Sequence, residues 1–315
     1  MHISVAICTY NRATLLGATL SRLGEIAQPE DATWEVVVVD NASTDHTQTV
    51  LRTFHDRLPL RVVEEPNGGL SHARNRALDH VQGDYVLWTD DDVQVDRNWL
   101  ASFVAGVRRF PDGTVFGGPV SPWFPMPPDL ELLEAFPALG LGFCGVDHQR
   151  PAGFLPDSLN INGANMAFHR GRTGALRFDP AFGMTPTGNV GGDERNFIDR
   201  CRSAGAAVVW LPDMQVRHYV MRHRMSLPYL LSYYRDLGVT TVRREGIPPG
   251  SQWFGVPRWL LREVLVTGIK TTLLKPFISR QRYLLALRSH HYSRGVIAEC
   301  VAQGATGSRK LHGRE

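Results

Sequence analysis

Short apolar strands alternate with helices over the first 120 residues, and this alternation constrains the fold more than any other feature of the sequence. Residues 34–39 form an almost unbroken apolar run, which is typical of a strand buried on both faces of a parallel sheet. Helical patterns follow the strands, for example over residues 12–26, 43–54 and 70–80. Repeated strand–helix units at this spacing predict an open, mostly parallel α/β sheet. Ligands of such sheets bind at the carboxyl ends of the strands.

The second half of the chain departs from this alternation. Residues 119–160 are rich in Pro and Gly and are interpreted as a long, mostly irregular connection. The next strand is predicted at residues 161–168. From residue 225 onward the pattern is mainly helical. We therefore expect an α/β domain built of two halves, followed by a basic helical extension. The expected bounds are 1–245 for the whole domain, 1–118 and 119–245 for its halves, and 246–315 for the extension.

Charge is divided unevenly along the 315 residues, although the formal net charge is only +3. Residues 1–213 carry 17 Lys and Arg against 26 Asp and Glu, whereas residues 214–315 carry 17 against 5. The overall composition, 43% apolar and 21% charged, is that of a globular protein and excludes a disordered chain. An acidic body with a basic C-terminal third requires a functional explanation.

Several classes of protein are excluded by what the sequence lacks. No uncharged apolar run reaches the roughly 18–20 residues of a membrane-spanning helix, and the N-terminus shows no signal-peptide pattern. The four cysteines are widely spaced and lack zinc-site spacing, which favours reduced thiols in a cytosolic protein. A GxGxxG match at residues 140–145 does not follow a strand, so the dinucleotide-binding pattern fails on its context.

Three consecutive aspartates, Asp90, Asp91 and Asp92, follow the predicted strand at residues 84–88 after a single threonine, Thr89. Their carboxylates repel one another unless a divalent cation is bound, and hard oxygen ligands suit Mg²⁺ or Mn²⁺. Because alternate residues of an extended segment point the same way, Asp90 and Asp92 can face one site while Asp91 faces elsewhere. The alternative is a solvated acidic loop that caps the following helix.

Two other polar residues lie where predicted elements begin or end. Asp40 ends the buried strand at residues 34–39, where it can face a ligand or can simply form an Asx turn. Arg74 lies in the first turns of the helix at residues 70–80, where the helix dipole disfavours a cation. Arg74 is therefore expected to reach an anion or an acidic cluster, or else to be a solvated residue after a surface turn.

A pair of carboxylates, Asp193 and Glu194, opens a predicted helix directly after two glycines. Acidic residues at a helix N-terminus favour the helix dipole, which explains the pair without any function. The functional alternative is a general base held at a glycine hinge beside an acceptor hydroxyl.

Each of these signals is weak alone, but their order along the chain is specific. The segments are VAICTYNR at 5–12, VVVVDNASTD at 36–45, NGGLSHARN at 67–75, YVLWTDDDV at 85–93, INGANMAFHR at 161–170, GGDE at 191–194 and WLPDMQVRH at 210–218. In this order they resemble the family 2 glycosyltransferases over roughly residues 1–240. The resemblance implies a GT-A fold, which is an open mixed, mostly parallel sheet flanked by helices, here with a helical C-terminal extension. It also implies an inverting, metal-dependent transfer of a sugar from a nucleotide-diphosphate sugar, such as a UDP-sugar, to a hydroxyl group.

The resemblance also assigns roles to residues that match the family's motifs. The nucleotide-sugar site would comprise Thr9, Tyr10, Arg12, Asp40, Asn67, Arg74, Asp90 and Asp91. Within it, Asp40 would accept a hydrogen bond from the base and Asp90 would face the ribose. Asp92 and His218 would bind Mn²⁺ or Mg²⁺, and Asn165 would lie near the donor sugar and the acceptor. The family's general base is usually the second acid of a Glu-Asp pair. This chain has Asp-Glu, so Glu194 is the first choice for the base and Asp193 the alternative.

The acceptor is less constrained than the donor. Residues 257–274 combine apolar residues with Arg and Lys, which suits either a helix lying on anionic lipid or a helix packed on the catalytic domain. We expect a glycan or lipid-linked acceptor in cell-envelope polysaccharide synthesis. We also expect a cytoplasmic protein with peripheral membrane contact through residues 257–301. Nucleic acid is not an expected partner, because the basic region contains no recognisable nucleic-acid-binding module.

Two other functions compete with sugar transfer. A nucleotidyltransferase that makes sugar nucleotides would use a similar α/β site, but it typically has a Gly-rich loop bearing Arg or Lys after the first strand. Residues 8–16 lack such a loop. A non-catalytic nucleotide-sugar-binding protein is disfavoured because the carboxylates are intact.

Overall fold

The structure is a computed structural model that describes residues 1–185 and 188–311. Its strands are β1 (His2–Thr9), β2 (Thr33–Asp40), β3 (Leu60–Glu64), β4 (Tyr85–Trp88), β5 (Val93–Val95), β6 (Gly113–Gly117), β7 (Val120–Trp123), β8 (Gly153–Phe154), β9 (Met166–His169), β10 (Gly183–Thr185), β11 (Gly188–Val190), β12 (Ala207–Trp210), β13 (Val216–Tyr219), β14 (Gln252–Trp253) and β15 (Val256–Pro257). Its α-helices are α1 (Ala13–Leu23), α2 (Thr47–Arg52), α3 (Leu70–His80), α4 (Trp99–Arg109), α5 (Leu130–Leu139), α6 (Arg170–Thr173), α7 (Asp193–Ser203), α8 (Leu227–Glu245), α9 (Arg258–Thr272) and α10 (Arg280–Leu311).

The main sheet is mixed and mostly parallel, as predicted. Its strand order is β3-β2-β1-β4-β9-β6-β12-β8. β1 pairs in parallel with β2 and with β4, and β2 pairs in parallel with β3. β9 runs antiparallel between β4 and β6. The carboxyl ends of β1, β2 and β4 therefore meet at one edge of the sheet.

Side chains of the central strands alternate between two cores, one on each face of the sheet. Val5 and Val36 pack into the first core, whereas Ala6 and Val37 pack into the second. Burial on both faces explains why these strands are apolar at consecutive positions rather than at alternate ones. The register also pairs the last residue of β1 with Asp40, the last residue of β2.

A second, smaller sheet brings a distant histidine to the acidic triplet. Its strand order is β5-β13-β7, and β13 runs antiparallel to β5. This register places His218 opposite Val93, the residue that follows the triplet. The backbone N–H of Tyr219 also donates to the carbonyl oxygen of Asp92 at 2.9 Å. Non-local strand pairing thus positions His218.

The helix predicted over residues 43–54 is shorter in the structure and begins at Thr47. Side chains bind the preceding backbone in a loop instead. Asp45 Oδ1 accepts from the N–H of Thr47 at 3.0 Å, and Asn11 Oδ1 accepts from the N–H of Thr44 at 2.7 Å. Asn and Asp side chains that bind nearby backbone compete with helix formation, which explains the late start.

Contacts within the chain divide it into two compact units. The first comprises Met1–Trp123 and Cys144–Tyr219, and the second comprises Phe124–Phe143 and the chain from Val220 onward. The contacts therefore separate at residue 220 rather than at the predicted boundary after residue 245. α8 belongs to the second unit because its Leu230 and Tyr234 share a core with α5 and α10.

Within the second unit, α8 and α10 approach each other closely at two glycines. A Cβ added to Gly238 would lie 2.2 Å from the carbonyl oxygen of Tyr292, and one added to Gly295 would lie 1.9 Å from the carbonyl oxygen of Arg235. Only glycine allows the two backbones this separation. None of the described helices combines the length and apolar character that crossing a membrane requires.

Candidate active site

The middle aspartate of the triplet anchors it to β1 and α1. Thr9 Oγ1 donates to Asp91 Oδ2 at 2.8 Å, and Arg12 Nη1 donates to Asp91 Oδ1 at 3.0 Å. Thr19 Oγ1 donates to the carbonyl oxygen of Asp91 at 2.9 Å. Burial raises the pKa of Asp91 to about 7, although Arg12 opposes this shift. Thr9 and Asp91, both expected in the nucleotide site, are buried and bind each other through their side chains.

The outer two aspartates share one site with His218, as the alternation of an extended segment predicts. His218 Nε2 lies 3.5 Å from Asp90 Oδ2 and 3.4 Å from Asp92 Oδ1. One ligand atom from each of the three residues lies within 4.8 Å of the others. Asp92 Oδ1 is buried and has no hydrogen-bond partner among the described residues. An unsatisfied buried carboxylate oxygen facing an imidazole and a second carboxylate fits a divalent cation.

The other ring nitrogen of His218 supports this assignment. Nδ1 lies 3.0 Å from the carbonyl oxygen of Tyr219, so an Nδ1–H donor leaves Nε2 free to face the carboxylates. Burial disfavours the imidazolium form, but neighbouring negative groups outweigh burial and raise the pKa of His218 to about 10. These groups are Cys144, which acts only as a thiolate, and the carboxylates of Asp92 and Asp90. At neutral pH, without a cation, Nε2 therefore carries a proton between the two carboxylates, and a bound cation would displace that proton.

Arg74 lies behind this site in a buried ion pair, so the expectation that it reaches an acidic cluster is confirmed. Its Nη1 lies 2.5 Å from Asp193 Oδ2, and its Nη2 lies 3.9 Å from Asp90 Oδ1. The guanidinium also lies over the rings of Trp88 and Phe178, 5.7 and 5.2 Å from their centroids. Burial opposes the charged guanidinium, but the carboxylates hold the pKa of Arg74 above its usual range.

Glu194 lies beside this ion pair at the start of α7. Its side chain is partly buried, and burial, together with the charge of Asp193, raises the pKa of Glu194 to about 7. A carboxylate with a pKa near neutrality is suited to accept a proton from a hydroxyl group. Asp193, in contrast, is committed to Arg74. The two acids of the pair therefore have different surroundings.

Gly163 is a residue of this site that sequence reasoning missed. The predicted strand over residues 161–168 begins instead with a 3₁₀ turn at Gly163–Asn165, and β9 follows. A Cβ at Gly163 would lie 2.9 Å from Arg74 Nη2 and 3.2 Å from Glu194 Cβ. The glycine lets Arg74 and Glu194 approach the turn. Its place in the segment INGANMAFHR was the available signal.

Asn165, which the resemblance places near the donor sugar and the acceptor, has its side chain in the core of the structure. The residue is fully buried, and Trp99 Nε1 donates to its Oδ1 at 2.9 Å. Its Nδ2 donates to the carbonyl oxygens of Pro119 and Met214 at 3.0 and 2.6 Å. Every polar group of the amide is engaged within the core. Asn165 therefore connects α4 to the segments that precede β7 and β13.

Asp40 and Asn67 lie at the same sheet edge and are held by local hydrogen bonds. Asp40 Oδ1 accepts from the N–H of Ser43 at 3.0 Å, which is the Asx-type contact considered above. Asn41, a residue that sequence reasoning missed, ties the Asn-Gly-Gly turn to β2. Its Nδ2 donates to the carbonyl oxygen of Asn67 at 2.7 Å, and its Oδ1 accepts from the N–H of Gly69 at 2.9 Å.

Two residues after β1 complete the predicted nucleotide site. Tyr10 is exposed, so its ring is accessible to a ligand. Arg12 Nη1 lies 2.6 Å from Asp92 Oδ2 as well as binding Asp91, which ties the start of α1 to the acidic triplet.

Comparison with known proteins identifies the part of the chain that carries this site. Residues 4–124 match the family model described as Glycosyl transferase family 2. This part of the chain belongs to the family 2 glycosyltransferases. This glycosyltransferase is 25% identical to the succinoglycan biosynthesis protein ExoM of Rhizobium meliloti strain 1021, over 238 residues that cover 73% of this chain and 71% of ExoM. It is 34% identical over 107 residues to the poly(ribitol-phosphate) β-N-acetylglucosaminyltransferase TarS of Staphylococcus aureus strain Mu50. That match covers 33% of this chain and only 18% of TarS.

Solved glycosyltransferase structures share the fold of this chain. The mannosyltransferase PcManGT from Pyrobaculum calidifontis, solved with GDP-Man and Mn²⁺, aligns with a TM-score of 0.55 at 22% identity and covers 99% of this chain and 81% of its own. TarS residues 1–349, solved with UDP-GlcNAc, align with a TM-score of 0.55 at 16% identity, covering 98% of this chain and 92% of that one. The predicted GT-A fold is thereby confirmed.

Proposed function

We propose that this glycosyltransferase is an inverting, metal-dependent enzyme that uses a nucleotide-diphosphate sugar. The observation that carries the proposal is the cluster of Asp90, Asp92 and His218, in which a buried carboxylate oxygen of Asp92 has no hydrogen-bond partner among the described residues. Arg74 links this cluster to the start of α7, where Glu194 lies. A cation site and a candidate base therefore adjoin the same arginine.

The donor nucleotide is proposed to lie at the carboxyl ends of β1 and β2. The exposed ring of Tyr10 is available to stack on a base, and Asp40 and Asn67 lie at the same sheet edge. The structural neighbours were solved in complex with GDP-Man and with UDP-GlcNAc. A UDP- or GDP-sugar is therefore the class of donor to test first.

Asp90, Asp92 and His218 would hold the divalent cation, Mn²⁺ or Mg²⁺. Bound there, its charge would offset the negative charge that develops on the departing nucleoside diphosphate. Arg12 contacts Asp92 at 2.6 Å and would fix that carboxylate for ligation.

Glu194 is proposed to act as the general base. Its carboxylate would take the proton of an acceptor hydroxyl, and the hydroxyl oxygen would form a bond to the anomeric carbon. The bond from that carbon to the diphosphate breaks, and its electron pair leaves with the diphosphate. Asp193 is proposed as a positioning residue, because its carboxylate is bound to Arg74 at 2.5 Å.

The acceptor is proposed to be a glycan or a lipid-linked sugar in cell-envelope polysaccharide synthesis. The names of ExoM and TarS, which refer to succinoglycan and to poly(ribitol-phosphate), support a polymeric acceptor. We also propose a cytoplasmic location with peripheral membrane contact through residues 257–301, on the basis of the basic C-terminal third of the chain.

Thermal unfolding with a panel of UDP- and GDP-sugars tests the donor and metal assignments together. A ligand that binds only the folded state raises its stability, by about 2.7 kcal/mol at 100 times its Kd. We expect one nucleotide sugar to raise the melting temperature in Mn²⁺ but not in EDTA, and Asp92→Asn to lose this Mn²⁺-dependent increment. Equal stabilisation in EDTA would overturn the metal dependence. If no nucleotide sugar of the panel raises the melting temperature in Mn²⁺, the proposed function is overturned.

A further inference from the structure

One face of α9 is exposed along the whole helix. The opposite face is packed in the second unit, where Leu260 and Thr267 are buried and Thr267 Oγ1 lies 3.1 Å from Nδ1 of His290 on α10. The exposed side chains of the helix and its C-terminal end include Arg258, Arg262, Leu265, Val266, Ile269, Lys270 and Leu273. At 100° per residue these positions fall within a sector of about 140°, so they form one continuous face. We call this surface the α9 face.

The apolar part of the α9 face lies toward its C-terminal end. Leu265 is 65% exposed and Leu273 is 69% exposed. The face continues into the turn Lys275–Phe277, whose last residue, Phe277, is 81% exposed. Large apolar side chains that remain in water together, rather than singly, mark an interaction site.

An aromatic tip lies at the other end of α9. The β14–β15 hairpin carries Trp253 and Phe254 with stacked rings, 5.6 Å between centroids, and Phe254 is 86% exposed. Phe254 has a φ of +50° and Gly255 a φ of +76°. The first of these positions normally takes Asn, Asp or Gly, because a bulky side chain is unfavourable there. Phe254 therefore adopts an unfavourable backbone conformation while its ring projects into solvent.

The charge around these apolar groups is almost entirely positive. Residues 246–298 contain eight Lys and Arg and a single acidic residue, Glu263. Glu263 is half-buried, and its Oε1 accepts from Ser289 Oγ. Arg258, Arg262 and Lys270 form no ion pair with any residue that the structure describes. The cations of the α9 face are therefore not neutralised by the protein itself.

A second apolar surface in the same unit provides a contrast. Leu130 and Leu133 of α5 are also exposed, but acidic residues surround them. These are Asp129, Glu131 and Glu134, and one cation, Arg280, lies 2.7 Å from Glu131 and 3.9 Å from Glu134. This unit thus has one exposed apolar surface on α5 with mainly acidic neighbours and another, the α9 face, with basic neighbours. Only the α9 face is complementary in charge to an anionic surface.

We propose that the α9 face, with the Trp253–Phe254 tip and Phe277, docks on an anionic lipid bilayer. α9 would lie in the plane of the interface, with its aliphatic and aromatic side chains among the acyl chains and its cations at the headgroups. A bilayer satisfies both sets of groups at once along a helix of about 22 Å. The inference rests on the proposed membrane contact over residues 257–301. It assigns that contact to α9 and Phe277, and it adds the Trp253–Phe254 tip from outside the range.

Sedimentation with lipid vesicles tests the docking. The full chain is mixed at low salt with vesicles of phosphatidylcholine alone and of phosphatidylcholine with phosphatidylserine. We expect binding to the anionic vesicles only. Arg262→Ala with Lys270→Ala should weaken it about 30-fold, because each cation near an anionic surface strengthens binding several-fold. Leu265→Ser with Leu273→Ser should weaken it at least tenfold.

Leu133→Ser on α5 is the matched control, since it removes an exposed leucine from the acidic surface. It should bind anionic vesicles as the unaltered chain does. The docking is overturned if the unaltered chain does not sediment with anionic vesicles, or if the control weakens binding as much as the α9 variants. Light scattering without vesicles measures the mass of the protein in solution. The docking is also overturned if the α9 variants lower this mass but leave vesicle binding unchanged, because the α9 face would then contact a second copy of the chain. Donor-induced stabilisation without vesicles should persist in every variant, so its absence would refute the proposed donor chemistry and leave the docking intact.

Discussion

Arg74 of α3 and Asp193 of α7 form a buried ion pair in which Nη1 lies 2.5 Å from Oδ2. The second guanidinium nitrogen of Arg74 lies 3.9 Å from Asp90 Oδ1. One arginine thus joins the carboxylates proposed for metal binding to the segment that carries Glu194. The ion pair also gives Asp193 and Glu194 different roles. A carboxylate bound to a buried arginine, as in Asp193, is poorly placed to accept a proton from a substrate.

The first prediction concerns the stability of the folded protein. Asp193→Asn leaves the buried guanidinium of Arg74 without its main counter-charge, and breaking a buried pair on one side typically costs about 3–5 kcal/mol. Urea unfolding should show a lower free energy of unfolding for this variant. Glu194→Gln is the control, and its free energy of unfolding should stay within about 1 kcal/mol of the unaltered protein. If Asp193→Asn and Glu194→Gln lower the free energy of unfolding equally, the ion pair with Arg74 does not give Asp193 a structural role that Glu194 lacks.

The second prediction concerns catalysis. Glu194→Gln removes the proposed base and should lower the transfer rate by about 10²–10⁴-fold, the usual contribution of general base catalysis. Its affinity for the donor, measured by calorimetry, should not change. Full transfer by Glu194→Gln would remove this residue from the mechanism.

The third prediction concerns pH. Burial and the charge of Asp193 raise the pKa of Glu194 to about 7, and a base acts only when it is deprotonated. As pH falls below about 7, the active fraction falls, so kcat/KM should drop about tenfold per pH unit. The residual activity of Glu194→Gln should lack this limb of the profile. A kcat/KM that stays constant down to pH 5 would contradict the assignment.

The fourth prediction concerns the contribution of Asn165 to stability. Asn165→Ala leaves the indole N–H of Trp99 and the carbonyl oxygens of Pro119 and Met214 without this partner. We expect a loss of about 1–3 kcal/mol in the free energy of unfolding. Donor-induced stabilisation should remain. The reverse result, unchanged stability with no response to the donor, would restore Asn165 as a sugar contact.

Local patterns allowed much of this site to be predicted from the sequence. The alternation of side chains along an extended segment correctly places Asp90 and Asp92 in one site and Asp91 in another. The geometry that brings His218 to them depends on the pairing of β13 with β5, which no local pattern specifies. His218 was identified from its resemblance to a family position instead.

Tertiary contacts, in contrast, could not be predicted from local patterns in the sequence. Asn165 occurs in a motif associated with sugar binding, but its amide is consumed by three partners from other parts of the chain. The predicted boundary after residue 245 followed the end of α8, whereas the packing of Gly238 against α10 assigns that helix to the second unit. Sequence periodicity defines a helix but not the helix against which it packs.

The most direct test of the account is the release of nucleoside diphosphate from the stabilising nucleotide sugar in Mn²⁺ and in EDTA. We expect the unaltered enzyme to release nucleoside diphosphate in Mn²⁺ and to do so at least 10²-fold more slowly in EDTA. Asp92→Asn should be slowed by at least the same factor in Mn²⁺, and so should Glu194→Gln when acceptor is present. Turnover that is equal in Mn²⁺ and EDTA, with Asp92→Asn as active as the unaltered enzyme, would contradict the metal site on which the proposed function rests.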